Sequence, residues 1–215
     1  MQAIKMLELL NEGKIEEVKA YLRDKIYEDV LKATGKAGPK RRYAAMKKYF
    51  TYTRSAREFC QKPAMIEFEG KNYTSFCNSY SLALTTEPCG AIELYTEDNY
   101  PNTSRLIDRE GDCREFNFAD ILGRAKAQGY KLKKSEVEGY KYRYLLKIDN
   151  SYFKLGLVEA TYNIINDGEE ATIYHGDKRI SKLTIENDIG ICLIMALNIS
   201  DEDVLDNEYI VIEAE

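Results

Sequence analysis

The chain has 215 residues, 44% apolar and 31% charged, with a formal net charge of −5. This suits one sizeable domain with an appendage, able to bury a core without metal or disulfide staples, and it excludes both a mainly disordered chain and a protein that coats nucleic acid with its whole surface. No run approaches the roughly 18 apolar residues of a membrane span, and five scattered cysteines (Cys60, Cys77, Cys89, Cys113, Cys192) without a C-x-x-C pair read as reduced, mostly buried thiols, so a cytoplasmic protein with no membrane contact is expected.

Residues 3–33 read as helix. Ile15, Val18, Leu22, Ile26 and Val30 recur at helical spacing as one apolar stripe, which needs a body or a second subunit to bury against. Asn11-Glu12-Gly13 breaks the run into a short helix and a longer one, and Gly35-Lys36-Ala37-Gly38-Pro39 ends it as a hinge. Residues 1–38 are thus a helical appendage and hinge. A second helix is expected over residues 40–60, with Tyr43, Met46, Phe50 and Phe59 as apolar contacts and Pro63 as its stop.

Met65–Glu69, Asn72–Cys77 and Tyr80–Thr85 read as strands, joined by a Gly70-Lys71 hairpin loop and an Asn78-Ser79 turn. Ala91–Thr96 suits a further strand and Asp98–Asp112 a long polar loop. Asn117 is placed to cap a helix over Phe118–Gln128 that Gly129 ends. Arg143–Ile148 reads as a strand, and Asp149 or Asn150 as the cap of a helix across Ser151–Ile165, with Phe153, Leu157, Val158, Ala160, Ile164 and Ile165 on its apolar face. Strands are expected at Ala171–His175, Arg179–Glu186 and Ile189–Ile199, joined at Gly176-Asp177 and Asn187-Asp188. The nearly unbroken apolar run Ile189–Leu197 suits a central strand covered on both faces. Residues 201–215 carry seven acids and no base, an acidic tail in which Glu208–Glu213 alternates like an edge strand.

The stretches IEFEGKNY (66–73) and TIYHGDKR (172–179) align Phe68 with Tyr174 and Gly70 with Gly176 at one offset. A helix followed by a three-stranded meander therefore occurs twice. The expected fold class is α+β, with two pseudo-symmetric (β)αβββ halves over residues 39–200. DNSYFKLGLVEATYNIINDGEEATIYHG, followed by KLTIENDIGICLIMALNI, resembles the last half-domain of a DNA sliding clamp (DNA polymerase III beta subunit-like), and FEGKNYTSFCNSYSLAL resembles part of a first half. Ala196 stands where clamps carry a proline, and Asn78-Ser79-Tyr80 where they carry Asp-Gly-His or Asp-Gly-Tyr. The resemblance covers about residues 40–199 and implies a clamp-like domain with a role in DNA metabolism. A clamp subunit has two or three such domains; this chain has room for one.

Residues 40–62 hold eight Lys or Arg against one acid, Glu58. Lys40, Arg41, Arg42, Lys47, Lys48 and Arg54 are the candidate nucleic-acid contacts, with Tyr43, Tyr49 or Tyr52 able to stack on unpaired bases; a solvated helix face is the competing reading. The single histidine, His175, falls at a hairpin turn and is expected to be exposed, and a Cys–His pair would need a thiol beside it. ATGKAGPK lacks phosphate-loop spacing, and Asp201-Glu202-Asp203 lacks the glycine and final glutamate of a calcium loop, so no catalytic, cofactor or metal residue is assigned. The expected function is a non-enzymatic clamp-like interaction module of DNA metabolism, of phage or mobile-element type by analogy. Its expected partners are DNA, a replication or mobile-element protein, and a second copy of itself. The alternative is a protein-interaction or scaffold module that never touches nucleic acid and docks through helices 3–33.

Overall fold

Two helices, α1 (Gln2–Asn11) and α2 (Ile15–Ala33), open a computed structural model that describes residues 2–51, 57–107, 109, 111–137, 142–175 and 181–214. Gly13, at φ 72°, makes the expected break between them, and Gly35, at φ 68°, follows the end of α2. Helix α3 (Ala37–Tyr49) begins earlier than the sequence suggested, with Gly38 and Pro39 in its first turn. Proline is tolerated there because the N–H it lacks would have no intrahelical acceptor. The expected hinge therefore shrinks to Gly35 and Lys36. The expected helix over 40–60 is also shorter: α3 stops at Tyr49, and Glu58–Cys60 is a separate 3₁₀ turn.

The fold is α+β, built on a large antiparallel sheet. Strands β1 (Ala64–Phe68), β2 (Lys71–Cys77) and β3 (Ser81–Thr85) form one antiparallel meander. The first turn is Glu69-Gly70, one residue earlier than expected, with φ of 50° and 72°. Two successive positive φ values match the right-handed twist of a hairpin. Strand β4 (Asp112–Phe116) starts where the stretch read as polar loop ends and is not expected from the sequence, whereas no strand forms over 91–96. After β5 (Tyr144–Ile148) comes a second correction. Ser151–Lys154 is not helix but strand β6, because Asp149, at φ 51°, turns the chain into a hairpin rather than capping a helix.

Strands β7 (Ala171–His175), β8 (Lys182–Asn187) and β9 (Gly190–Met195) form the second meander. The β7–β8 turn, including Gly176, lies outside the described residues. Seven strands pair antiparallel in the order β1-β2-β3-β9-β8-β7-β4, so the meanders meet where β3 pairs with β9. Strand β9 is central and buried, as its apolar run requires. Strand β10 (Ile210–Glu213) joins β5 in parallel at the edge of a second sheet, β10-β5-β6.

One face of the main sheet carries Phe76, Ala83, Ile185, Cys192 and Ile194 into the principal core. Above it lie α4 (Phe118–Ala127), capped by Asn117 as expected, and α6 (Leu155–Tyr162), buried along all eight residues. Gly156 of α6 allows close approach of α5 (Lys134–Val137): a Cβ there would sit 2.7 Å from the Glu136 carbonyl oxygen. The other face buries Tyr73, Leu82, Leu84, Ile191 and Leu193, with Tyr100 and Ile107 packed against them. Arg109 fastens that loop, forking to Glu69 at 2.6 Å and Glu186 at 2.7 Å. Within the expected acidic tail, helix α7 (Asp201–Asp206) is started by a Ser200–Asp203 capping box. Among the described residues, no helix is long and apolar enough to cross a membrane.

Candidate nucleic-acid interface

Helix α3 lies between α2 and α6, and its basic residues divide between two environments. Arg42 is buried: its Nη2 donates to Glu87 at 2.6 Å and its Nη1 to the Asn166 carbonyl at 3.4 Å. Lys47 turns toward α2, donating to Asp24 at 2.8 Å and to Glu28 at 2.7 Å. Both charges are matched inside the protein. Lys40, Arg41 and Lys48 are exposed, and among the described residues none has an ion-pair partner. Arg54 lies outside the described residues.

The aromatic residues of α3 do not present faces to bases. Tyr43 is buried, with its hydroxyl donating to Asp24 at 2.6 Å and its ring 4.7 Å from that of Tyr27. Burial and the Asp24 carboxylate push its hydroxyl pKa up. Tyr49 is also buried and donates to the Ser81 carbonyl at 3.1 Å. Tyr52 lies outside the described residues. Base stacking by Tyr43 and Tyr49 is thereby corrected: they hold α3 to α2 and to β3.

Arg41 and Lys48, two helical turns apart, border a cleft of about 250 Å³ walled by Ala44, Leu132, Asn163 and Asn166. Leu132 sits between Lys131 and Lys133, both exposed, so the segment after α4 adds cations beside those of α3. The sequence signal for this second contribution is the cluster KLKK at 131–134. Next to Asn166, Asp167 Oδ1 accepts from the Glu169 N–H at 3.1 Å and from Asn187 Nδ2 at 3.4 Å. Two amide side chains and several cations around a shallow cleft can bind an anion such as a phosphate. Helix α6 is buried along its length and reaches the cleft only through Ala160 and its C-cap residue Asn163.

His175 is not exposed at a turn, as its position suggested, but buried. Its Nδ1 lies 2.9 Å from Asp149 Oδ2, to which Arg114 also donates at 2.6 Å. Arg114 first, and then His175, hold the Asp149 carboxyl below its usual pKa. The ring stands edge-on to Phe153, and Nε2 has no partner. Among the described residues no cysteine bonds to His175 and no group of three metal-ligating side chains occurs. Cys60, Cys77 and Cys192 are buried, Cys89 is half-buried and Cys113 is exposed. Comparison of the chain with protein-family models, with curated proteins and with solved structures gives no match in any of the three.

Proposed function

We propose that this protein is a non-enzymatic interaction module of DNA metabolism, its body arranged like a clamp domain, which contacts nucleic-acid phosphates through α3 and the adjoining 131–133 segment. The observation that carries the reading is the division within α3. Arg42 and Lys47 are bonded internally, whereas Lys40, Arg41 and Lys48 face solvent, Arg41 and Lys48 on the cleft lined by Leu132, which lies between the exposed Lys131 and Lys133. Cations held apart from carboxylates on a globally acidic protein make a localised positive face, which is what attracts a polyanion. The clamp-like arrangement is supported by the strand order, in which two meanders, each preceded by a helix, meet through an antiparallel β3–β9 pair. That relation suits an approximate dyad between the two strands.

Because no tyrosine of the described α3 is open to bases, contact is with the phosphate backbone and independent of sequence. The affinity then falls steeply with salt: about four phosphate contacts on duplex give a slope of log K against log salt near −4. Fluorescence anisotropy with labelled single-stranded and duplex DNA at two salt concentrations tests this. Binding that weakens with salt and is lost in Arg41→Glu with Lys48→Glu supports the proposal. Absent binding at low salt, or binding indifferent to that double substitution, overturns it.

A further inference from the structure

The apolar stripe of α2 is not buried against the body. Ile15, Leu22, Ile26 and Val30 are 54, 42, 64 and 55% exposed, and only Val18 of the stripe is enclosed. The body holds α2 by its opposite side: Asp24 and Glu28 meet Lys47, Tyr27 packs on Tyr43 and donates to the Pro88 carbonyl, and Leu31 enters the core. Helix α1 adds Ile4, Leu7 and Leu10, each at least half exposed. Seven of the eleven large apolar side chains exposed among the described residues thus fall within the first thirty positions. Isolated exposed apolar residues need no explanation, but a concentration on one arm marks an interaction surface.

We infer that this face of α2 is where a second copy of the chain docks, with the two α2 helices antiparallel. The charge of the arm suits a second copy. Residues 1–36 carry seven Lys or Arg and seven Asp or Glu, so the arm is neutral within a chain of net charge −5. Two arms therefore meet without the like-charge repulsion that two bodies would impose. The order of residues is self-complementary as well. A dyad at the level of Asp24 sets Leu22 against the partner's Ile26 and brings Lys19 level with the partner's Asp29. A helix of 19 residues is about 28 Å long, and α1 beside it widens the exposed apolar face with Ile4, Leu7 and Leu10. This inference is independent of what α3 contacts.

Light scattering coupled to size exclusion, on the full chain between about 5 and 100 μM (a range that brackets micromolar dissociation constants), tests it. The expected mass is twice the chain's 24.8 kDa, returning to 24.8 kDa in Leu22→Asp with Ile26→Asp, two exposed sites whose circular dichroism should match the parent. A parent that stays at 24.8 kDa throughout overturns the inference, as does a dimer that survives the double substitution. If that variant misfolds, Ile15→Asp with Val30→Asp replaces it, with the same two readings. A mass above the dimer also counts against it, since a two-fold contact closes on itself.

Discussion

Arg42 and Glu87 form an ion pair at 2.6 Å in which the arginine side chain is only 6% exposed. Removing Arg42 deletes the buried member together with its bond to the Asn166 carbonyl and leaves Glu87, 24% exposed, without its cation, a loss of about 2 kcal/mol. Arg42→Ala is expected to lower the denaturation midpoint accordingly. Lys40→Ala, two residues earlier in α3 and exposed, should change stability by less than about 0.5 kcal/mol. Chemical denaturation of both variants checks the distinction between structural and available cations.

Two glutamates should move stability in opposite directions with pH. Glu28, bonded to Lys25 and Lys47, has its pKa lowered from the usual 4.5 to about 2. A folded pKa below the unfolded one gives stability that is present above about 4.5 and lost as pH falls toward 2. Glu28→Gln should therefore cost about 0.5 kcal/mol at neutral pH, the scale of a largely exposed pair, and nothing at pH near 2.

Burial raises the pKa of Glu159, against the opposing hydrogen bond from Tyr130. Here the folded state favours the protonated form, so stability declines as pH rises from the usual 4.5 through the folded value. Glu159→Gln should melt above the parent at neutral pH, with the difference closing below the usual glutamate value. Thermal melts across the acid range check both glutamates.

Gly190 opens β9, opposite Thr85 in β3. A Cβ there would fall inside contact distance of the Leu84 carbonyl oxygen and 2.9 Å from Ile165 Cγ2. Backbone on one side and a packed side chain on the other leave no room to relax, so Gly190→Ala should lose about 3 kcal/mol or more. Gly123→Ala, where nothing lies within 4 Å, is the control and should be neutral or slightly stabilising. Thermal melts of the two variants check this.

Thiol titration reads the burial of the cysteines directly. Cys113 is exposed and should react at once with an aromatic disulfide reagent, with Cys89 following. Burial pushes the Cys77 thiol up to about 12 and Cys192 well above its usual value. These two should react only at the rate of unfolding. Mass spectrometry of partially labelled protein identifies the order.

The two meanders are legible in the sequence because alternating residues and Gly or Asn turns are local signals. Strand β4 is not, since Asp112-Cys113-Arg114-Glu115 is polar and gains its place only by pairing with β7. Asp149-Asn150 suits a helix cap and a hairpin turn equally; the pairing of β5 with β6 decides between them. His175 looks exposed because its burial depends on Asp149, a residue of another hairpin. The candidate interface divides in the same way. Counting charges finds the basic run of α3, but which of its cations are matched depends on Asp24, on the preceding helix, and on Glu87, in the loop after β3.

The junction of β3 and β9 has a consequence for how the protein is made. Residues 81–85 have no partner strand on one side until residues 190–194 leave the ribosome. The first meander therefore waits, with an unsatisfied hydrogen-bonding edge, while most of the remaining chain is synthesised. Contacts of such long sequence separation slow folding and expose nascent edges to neighbours. Chains truncated before residue 190 should accumulate as aggregates or be bound by chaperones.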